Sequence, residues 1–285
     1  MSYPVRLNPM RSPSLLTTRQ LVLLLLPAAV FFAAFFLLPM LRLFFIGGSG
    51  KLGLGAYAAI LTDGNYFHAL WMTLAVAIVT TVLTLGISGI SGVFLQRHAF
   101  PGRALLVSTL TLPLAFPGVV VGFMVIMLAG RQGLIGSALQ MLGGERLVFA
   151  YSLVGLCMGY VYFSIPRTIL TIMAAAEKLD PKLEEAARSL GASPWRVVCD
   201  VILPGLKPAF VSAGAICFAT AVGAFGTAFT LATRIEVLPM VIYTEFTMSA
   251  NIAMAAALSF SLGAIAWLAL ALARSMAGST VAAAG

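Results

Sequence analysis

The stretch LEEAARSLGASPWRVVCDVILPG, residues 183–205, places five charged side chains (Glu184, Glu185, Arg188, Arg196 and Asp200) in a chain that is only 9% charged. Long apolar runs lie on both sides of it. Just upstream, Asp180-Pro181 is a capping carboxylate followed by proline at the first helical position. Lys182 to Leu190 then form a short helix. Gly191 is placed to close it, because helices commonly end on a left-handed residue that glycine adopts cheaply. Ser193-Pro194 repeats the start, and a second short helix runs until Pro204 interrupts it. The expectation is an elbow of two helices joined by a glycine turn. On its first helix Leu183, Ala186, Ala187 and Leu190 recur at i, i+3, i+4 and i+7, an apolar face kept low by two alanines. Glu184, Glu185 and Arg188 flank that face with charges able to orient a partner. A helix lying on lipid headgroups would carry a basic polar face instead.

The surroundings are oily. The chain has 285 residues, 61% of them hydrophobic, and a mean hydropathy of +1.04, which marks an integral membrane protein. Its net charge of +8 does not point to nucleic acid, since the basic residues sit between apolar runs rather than on one soluble face. Six stretches reach the roughly 20 apolar residues that a bilayer-crossing helix needs. They are Leu21–Phe45, Ala69–Leu95, Ala104–Ala129, Val148–Leu170, Ala209–Ala232 and Ile252–Ala273. The first is too long for a secretory signal and is expected to be retained.

Loop charges orient the spans. With the N-terminus inside, the inner segments hold Arg6, Arg11, Arg19, Arg97, Arg103, Lys178, Lys182, Arg188, Arg196, Lys207 and Arg274, with Arg167 close by. The outer side holds Arg42, Lys51, Arg131, Arg146 and Arg234. This asymmetry predicts a multi-pass protein with both termini cytoplasmic: an N-terminal segment 1–20, a membrane domain 21–277 with the elbow at 178–207, and a tail 278–285. The elbow then faces the cytoplasm.

No phosphate-binding glycine loop, paired intramembrane carboxylates, metal-ligand cluster or activated nucleophile is evident, so the chain is not expected to be an enzyme. Cys157, Cys199 and Cys217 read as packing residues, and His68 and His98 as interfacial ones. Gly86, Gly89 and Gly92 recur at helical spacing and suggest close helix approach rather than a nucleotide loop. Pro113 and Pro117, one turn apart in LPLAFPG, should bend the third span.

The spacing Glu185-Ala186-Ala187, three residues, Gly191, nine residues, Val201-Ile202-Leu203-Pro204 resembles the motif of ABC importer permeases. The one departure is Val201, where the family most often has isoleucine. LPLAFPGVVVG (112–122) and GAFGTAFTLATRIEVLPMVIYTEF (223–246) look like the permeases of the spermidine/putrescine group. The resemblance implies an all-α, six-helix type I importer fold in the bacterial cytoplasmic (inner) membrane. It makes the elbow a coupling helix, with Glu185, Ala186, Ala187, Gly191, Leu203 and Pro204 docking on an ABC ATPase dimer that holds the ATP and Mg. The resemblance implies no cofactor on this chain itself. The other implied partners are a second homologous permease, an extracytoplasmic solute-binding protein and membrane lipid. The implied cargo is a polyamine, with aminoethylphosphonate, ferric iron, thiamine and oxyanions as alternatives.

A self-sufficient secondary carrier or channel is the rival class. It would require intramembrane ionisable residues and inverted internal symmetry, and neither is evident. The translocation path is expected where prolines and small residues concentrate, at Pro113, Pro117, Gly223, Gly226 and Thr227, with Glu245 also placed on it. Phe225 and Phe229, four residues apart, form either an apolar gate or a lipid-facing patch. Asp63, Glu145, Glu236 and Glu245 are the external carboxylates, and Glu245, beside Tyr243 and Phe246, would suit an amine or else make an ordinary ion pair.

Overall fold

A computed structural model describes residues 18–232 and 235–277; Arg6, Arg11, Arg234 and the expected tail 278–285 lie outside the described residues. Among the described residues the chain is all helical, with six segments long and apolar enough to cross a membrane. The first comprises α1 (Thr18–Phe32) and α2 (Leu38–Gly47), joined without a break by a π turn, Ala33–Leu37. It lies against the outside of the bundle, with most of its large side chains exposed. Then come α3 (Gly55–Thr62), the long α4 (Gly64–Arg97), α5 (Arg103–Thr111), α6 (Gly118–Ala129) and α7 (Leu134–Met141). The fourth segment is α8 (Leu153–Lys178), followed by the short α9 (Pro181–Ser189) and α10 (Pro194–Val197). The fifth and sixth are α11 (Leu203–Val222), continued by α12 (Phe225–Leu231) and α13 (Leu238–Thr247), and α14 (Ile252–Ala277).

The third, fourth and fifth spans differ from the sequence reading. The fourth span begins at Leu153, not Val148, because the Phe149 and Ala150 amides donate to the Ala129 carbonyl and Ser152 caps the helix. It also runs on to Lys178, which moves Arg167 from near one end to mid-helix. The third span is broken: a 3-10 turn at Leu112–Ala115 and an extended Phe116 separate α5 from α6. Pro204, expected to interrupt the second elbow helix, does not. A π turn at Val198–Ile202 carries α10 directly into α11, with Pro204 in the first turn of α11. The ring cannot donate an amide hydrogen bond, and a wider turn absorbs the mismatch.

The centre of the bundle is the pairing of α4 with α8 and α11. A Cβ at Gly92 would lie 3.1 Å from Ile172 of α8, and one at Gly89 would lie 2.8 Å from the Phe210 ring of α11, whereas Gly86 faces open space. Two of the three recurring glycines therefore admit two different neighbours. Thr73 fixes a third: its hydroxyl donates to Ala69 O and accepts from the Leu238 amide at 2.7 Å, anchoring the start of α13.

α6 and α12 also pack closely through a glycine. A Cβ at Gly122 would overlap the Thr230 hydroxyl and lie 2.8 Å from Thr230 Cβ. Gly122→Val is therefore expected to force α6 from α12 at about 1–3 kcal/mol, lowering the thermal unfolding midpoint of the detergent-solubilised chain. Gly86→Ala, facing open space, should leave it unchanged or raise it. Equal midpoints for the two variants would show that the α6–α12 contact does not limit stability.

Candidate functional site

The elbow is assembled from local signals. Asp180 accepts the Lys182 amide at 2.9 Å and Pro181 opens α9. Gly191 takes φ +85°, its amide donating to Arg188 O at 2.9 Å while Ala192 donates to Ala187 O at 3.0 Å. Ser193 accepts the Arg196 amide at 3.4 Å and Pro194 opens α10. The resulting corner exposes Glu185, Ala186 and three large apolar side chains: Leu183 (52%), Leu190 (88%) and Trp195 (74%). Trp195 belongs to this surface and was not singled out from the sequence, although an aromatic beside a cap-proline pair was a usable signal. Ala187 is half-buried, and Leu203 and Pro204 are exposed where the elbow passes into α11.

Glu184 and Glu185 part company. Glu184 does not flank the exposed face as a partner-orienting charge; it turns inward and pairs with Arg97 at the end of α4, at 2.5 Å. Arg97 also donates to Leu179 O at 3.3 Å, and the Leu179 side chain packs against Gly205. Arg97 thus fastens the elbow's entry to α4, while Leu179 closes the entry against the exit.

The other expected site residues lie within the bundle. Pro113 is buried in the 3-10 turn, and Pro117 precedes α6 in an extended conformation. Gly223 ends α11, and Ala224 links it to α12. These two interruptions meet. Thr227 donates to Gly118 O at 3.0 Å, and a Cβ at Gly226 would sit 3.0 Å from the Val119 amide nitrogen. Tyr160 of α8, missed in the sequence, donates to Ala224 O at 2.8 Å, at the N-cap of α12. Gly226 and Thr227 are therefore engaged in helix packing, with Thr227 buried.

Beside the break, Phe225, Phe229 and Tyr243 form an aromatic cluster with ring centroids 5.5–5.7 Å apart. A cavity of about 340 Å³ lies here, lined by Gly223, Phe225, Ile242, Tyr243, Phe246 and Leu262. Glu245 accepts from the Tyr66 hydroxyl at 3.0 Å, tying α13 to the start of α4. Arg167 of α8 reaches α11, donating to the Thr220 hydroxyl at 3.1 Å.

Residues 88–278 match the family described as binding-protein-dependent transport system inner membrane component. The molybdenum transport system permease protein ModB of Escherichia coli K12 is 36% identical over 189 residues, covering 65% of this chain and 81% of that one. The sulfate transport system permease protein CysT of the same strain is 33% identical over 180 residues, 63% and 64% of the two chains. A bacterial alginate ABC transporter, solved with its pentasaccharide-bound periplasmic protein, superposes with a TM-score of 0.78. That match is at 18% identity and covers 90% and 93% of the chains. The polyamine expectation finds no support in these relatives, whose names point to molybdenum and sulfate. By sequence and fold, the chain belongs to the family of binding-protein-dependent inner membrane components, non-catalytic permeases of ABC importers whose ATPase is a separate subunit.

Proposed function

We propose that the chain is the permease of an importer for a tetrahedral oxyanion, molybdate or sulfate. The observation that carries this reading is the 33–36% identity to molybdenum and sulfate permeases over nearly two thirds of the chain. The same reading places the protein in the bacterial inner membrane with both termini and the elbow cytoplasmic, in keeping with its loop charges. A second, homologous permease completes the path, an external binding protein delivers the anion, and ATP and Mg are held by the ATPase.

The exposed corner at Leu183, Leu190 and Trp195 suits a groove on that ATPase: apolar anchors at the centre, with Glu185 on the rim to set orientation. The path follows the paired interruptions at Pro113–Pro117 and Gly223–Thr227, since broken helices at membrane depth are tolerated where protein or a water-lined cavity satisfies them. A carboxylate would repel an anionic cargo, and the bond from Tyr66 gives Glu245 a tying role between α4 and α13.

Reconstituted with its ATPase, second permease and binding protein, the complex should take up labelled molybdate or sulfate in an ATP-dependent manner, and spermidine should not compete. Uptake of a polyamine but of neither anion would overturn the oxyanion reading.

At the elbow, Gly191→Val adds about 1–2 kcal/mol of left-handed strain. The variant should insert normally yet purify with less ATPase, and Glu185→Lys should weaken the same association. A full ATPase complement with both variants would remove the elbow from the docking surface. The Arg97–Glu184 pair should behave as a unit: Arg97→Glu lowers ATP-driven uptake, and adding Glu184→Arg recovers much of it. Failure of the double variant to exceed the single one would show that the pair does not couple the elbow to α4.

A further inference from the structure

We infer that Arg167, with the Thr220 hydroxyl, forms an oxyanion site inside the membrane at the contact between α8 and α11. The inference rests on the oxyanion reading for the nature of the cargo, and on the following geometry for the place. At 1.5 Å per residue the 26-residue α8 is about 39 Å long, exceeding a hydrocarbon core of about 30 Å. Arg167 lies about 2 Å from its midpoint. An arginine stays ionised at any accessible pH. Among the described residues the one ion pair is Arg97–Glu184, so no carboxylate neutralises Arg167. Its partner is Thr220, which donates its own hydrogen to Ile216 O at 2.7 Å and so offers its oxygen to the guanidinium.

The Arg167 side chain is exposed on the surface of the single chain. A bare guanidinium facing lipid at this depth is strongly unfavourable, and intramembrane cations face a bundle interior or a water-filled cavity. This surface of α8 therefore borders the path or the second permease rather than lipid. Thr220 stands three residues before Gly223, where α11 breaks, and across that break lie Phe225, Phe229 and Tyr243. The order along the path is then an aromatic constriction followed by one cation and one hydroxyl. The guanidinium presents a planar fork to two oxygens of a tetrahedral anion. A single arginine with one hydroxyl is not a cage, so the anion is held weakly enough to leave.

A purely structural alternative has Arg167 complementing the carbonyl end of α11, where a cation is favourable. The test separates the two. In a complex carrying Cys157→Ala, Cys199→Ser and Cys217→Ala, Arg167→Gln should assemble in wild-type yield and lose at least tenfold in molybdate or sulfate uptake. Arg167→Cys should lose as much and regain uptake after a trimethylammonium thiosulfonate but not after a neutral methyl thiosulfonate. Millimolar sulfate should slow the modification at least threefold. Uptake by Arg167→Gln within twofold of the parent, equal rescue by the neutral reagent, or modification unaffected by both sulfate and molybdate would each overturn the site. If the parent complex carries neither anion, the oxyanion reading falls and Arg167→Cys is judged by modification alone. Slowing by sulfate then upholds the site, and absence of modification in every nucleotide state removes it.

Discussion

A backbone amide or carbonyl that leaves its helix within a bilayer must find its partner in protein or enclosed water, because hydrocarbon supplies none. Among the described residues two helices are interrupted at Phe116–Pro117 and at Gly223–Ala224, and neighbouring side chains reach both breaks. The two breaks lie against each other, so that Thr227 from one side donates to Gly118 O on the other. The remaining cover comes from α8. Tyr160 reaches Ala224 O, and Gly159, one residue earlier, leaves room for the Thr227 methyl and Leu231. These contacts set α8 directly against the start of α12, while α1 and α2 pack on the outside of the bundle.

Four of the five Leu-Pro steps show what could be read locally and what could not; the fifth, Leu26-Pro27, lies inside α1. Leu38-Pro39 and Leu203-Pro204 each follow a π turn within a continuous helix, Leu112-Pro113 starts a 3-10 turn before a true break, and Leu238-Pro239 opens a new helix. The dipeptide announces a missing donor in every case. Whether the helix widens, breaks or begins depends on its neighbours: at Leu238 on the Thr73 hydroxyl that takes the amide, 165 residues away in sequence. At Pro204 the outcome is a continuous path from α10 into α11.

Caps were legible because their geometry is confined to two or three residues; Asp180, Gly191 and Ser193 needed no distant information. The membrane segments were legible for a similar reason, since length and apolar content suffice. Glu184 and Glu185 were not separable in this way. They are neighbours in sequence but about 100° apart around the helix, and only the fold brings Arg97 to one of them. Glu245 likewise could not be read without Tyr66. The cargo escaped the sequence for another reason: the elbow motif and the proline breaks are signals of backbone geometry, and neither contains a group specific to one solute.

The position of the elbow between α8 and α11 joins these observations. The first of these helices enters the elbow and the second leaves it, so they are its two legs. Leu179 packing on Gly205 closes the legs at one end, and the Arg167–Thr220 hydrogen bond bridges them at membrane depth. Arg167 stands eleven residues above the last residue of α8, about 17 Å along the axis. If the proposed site holds an oxyanion, a change of about 10° in the angle between the legs would separate Arg167 from Thr220 by about 3 Å, enough to exchange a direct hydrogen bond for one bridged by the anion. A lever of this kind needs stiff legs and a fixed pivot. The π turn keeps the second leg continuous, and the Arg97–Glu184 pair holds the pivot to α4, which does not itself pass through the elbow.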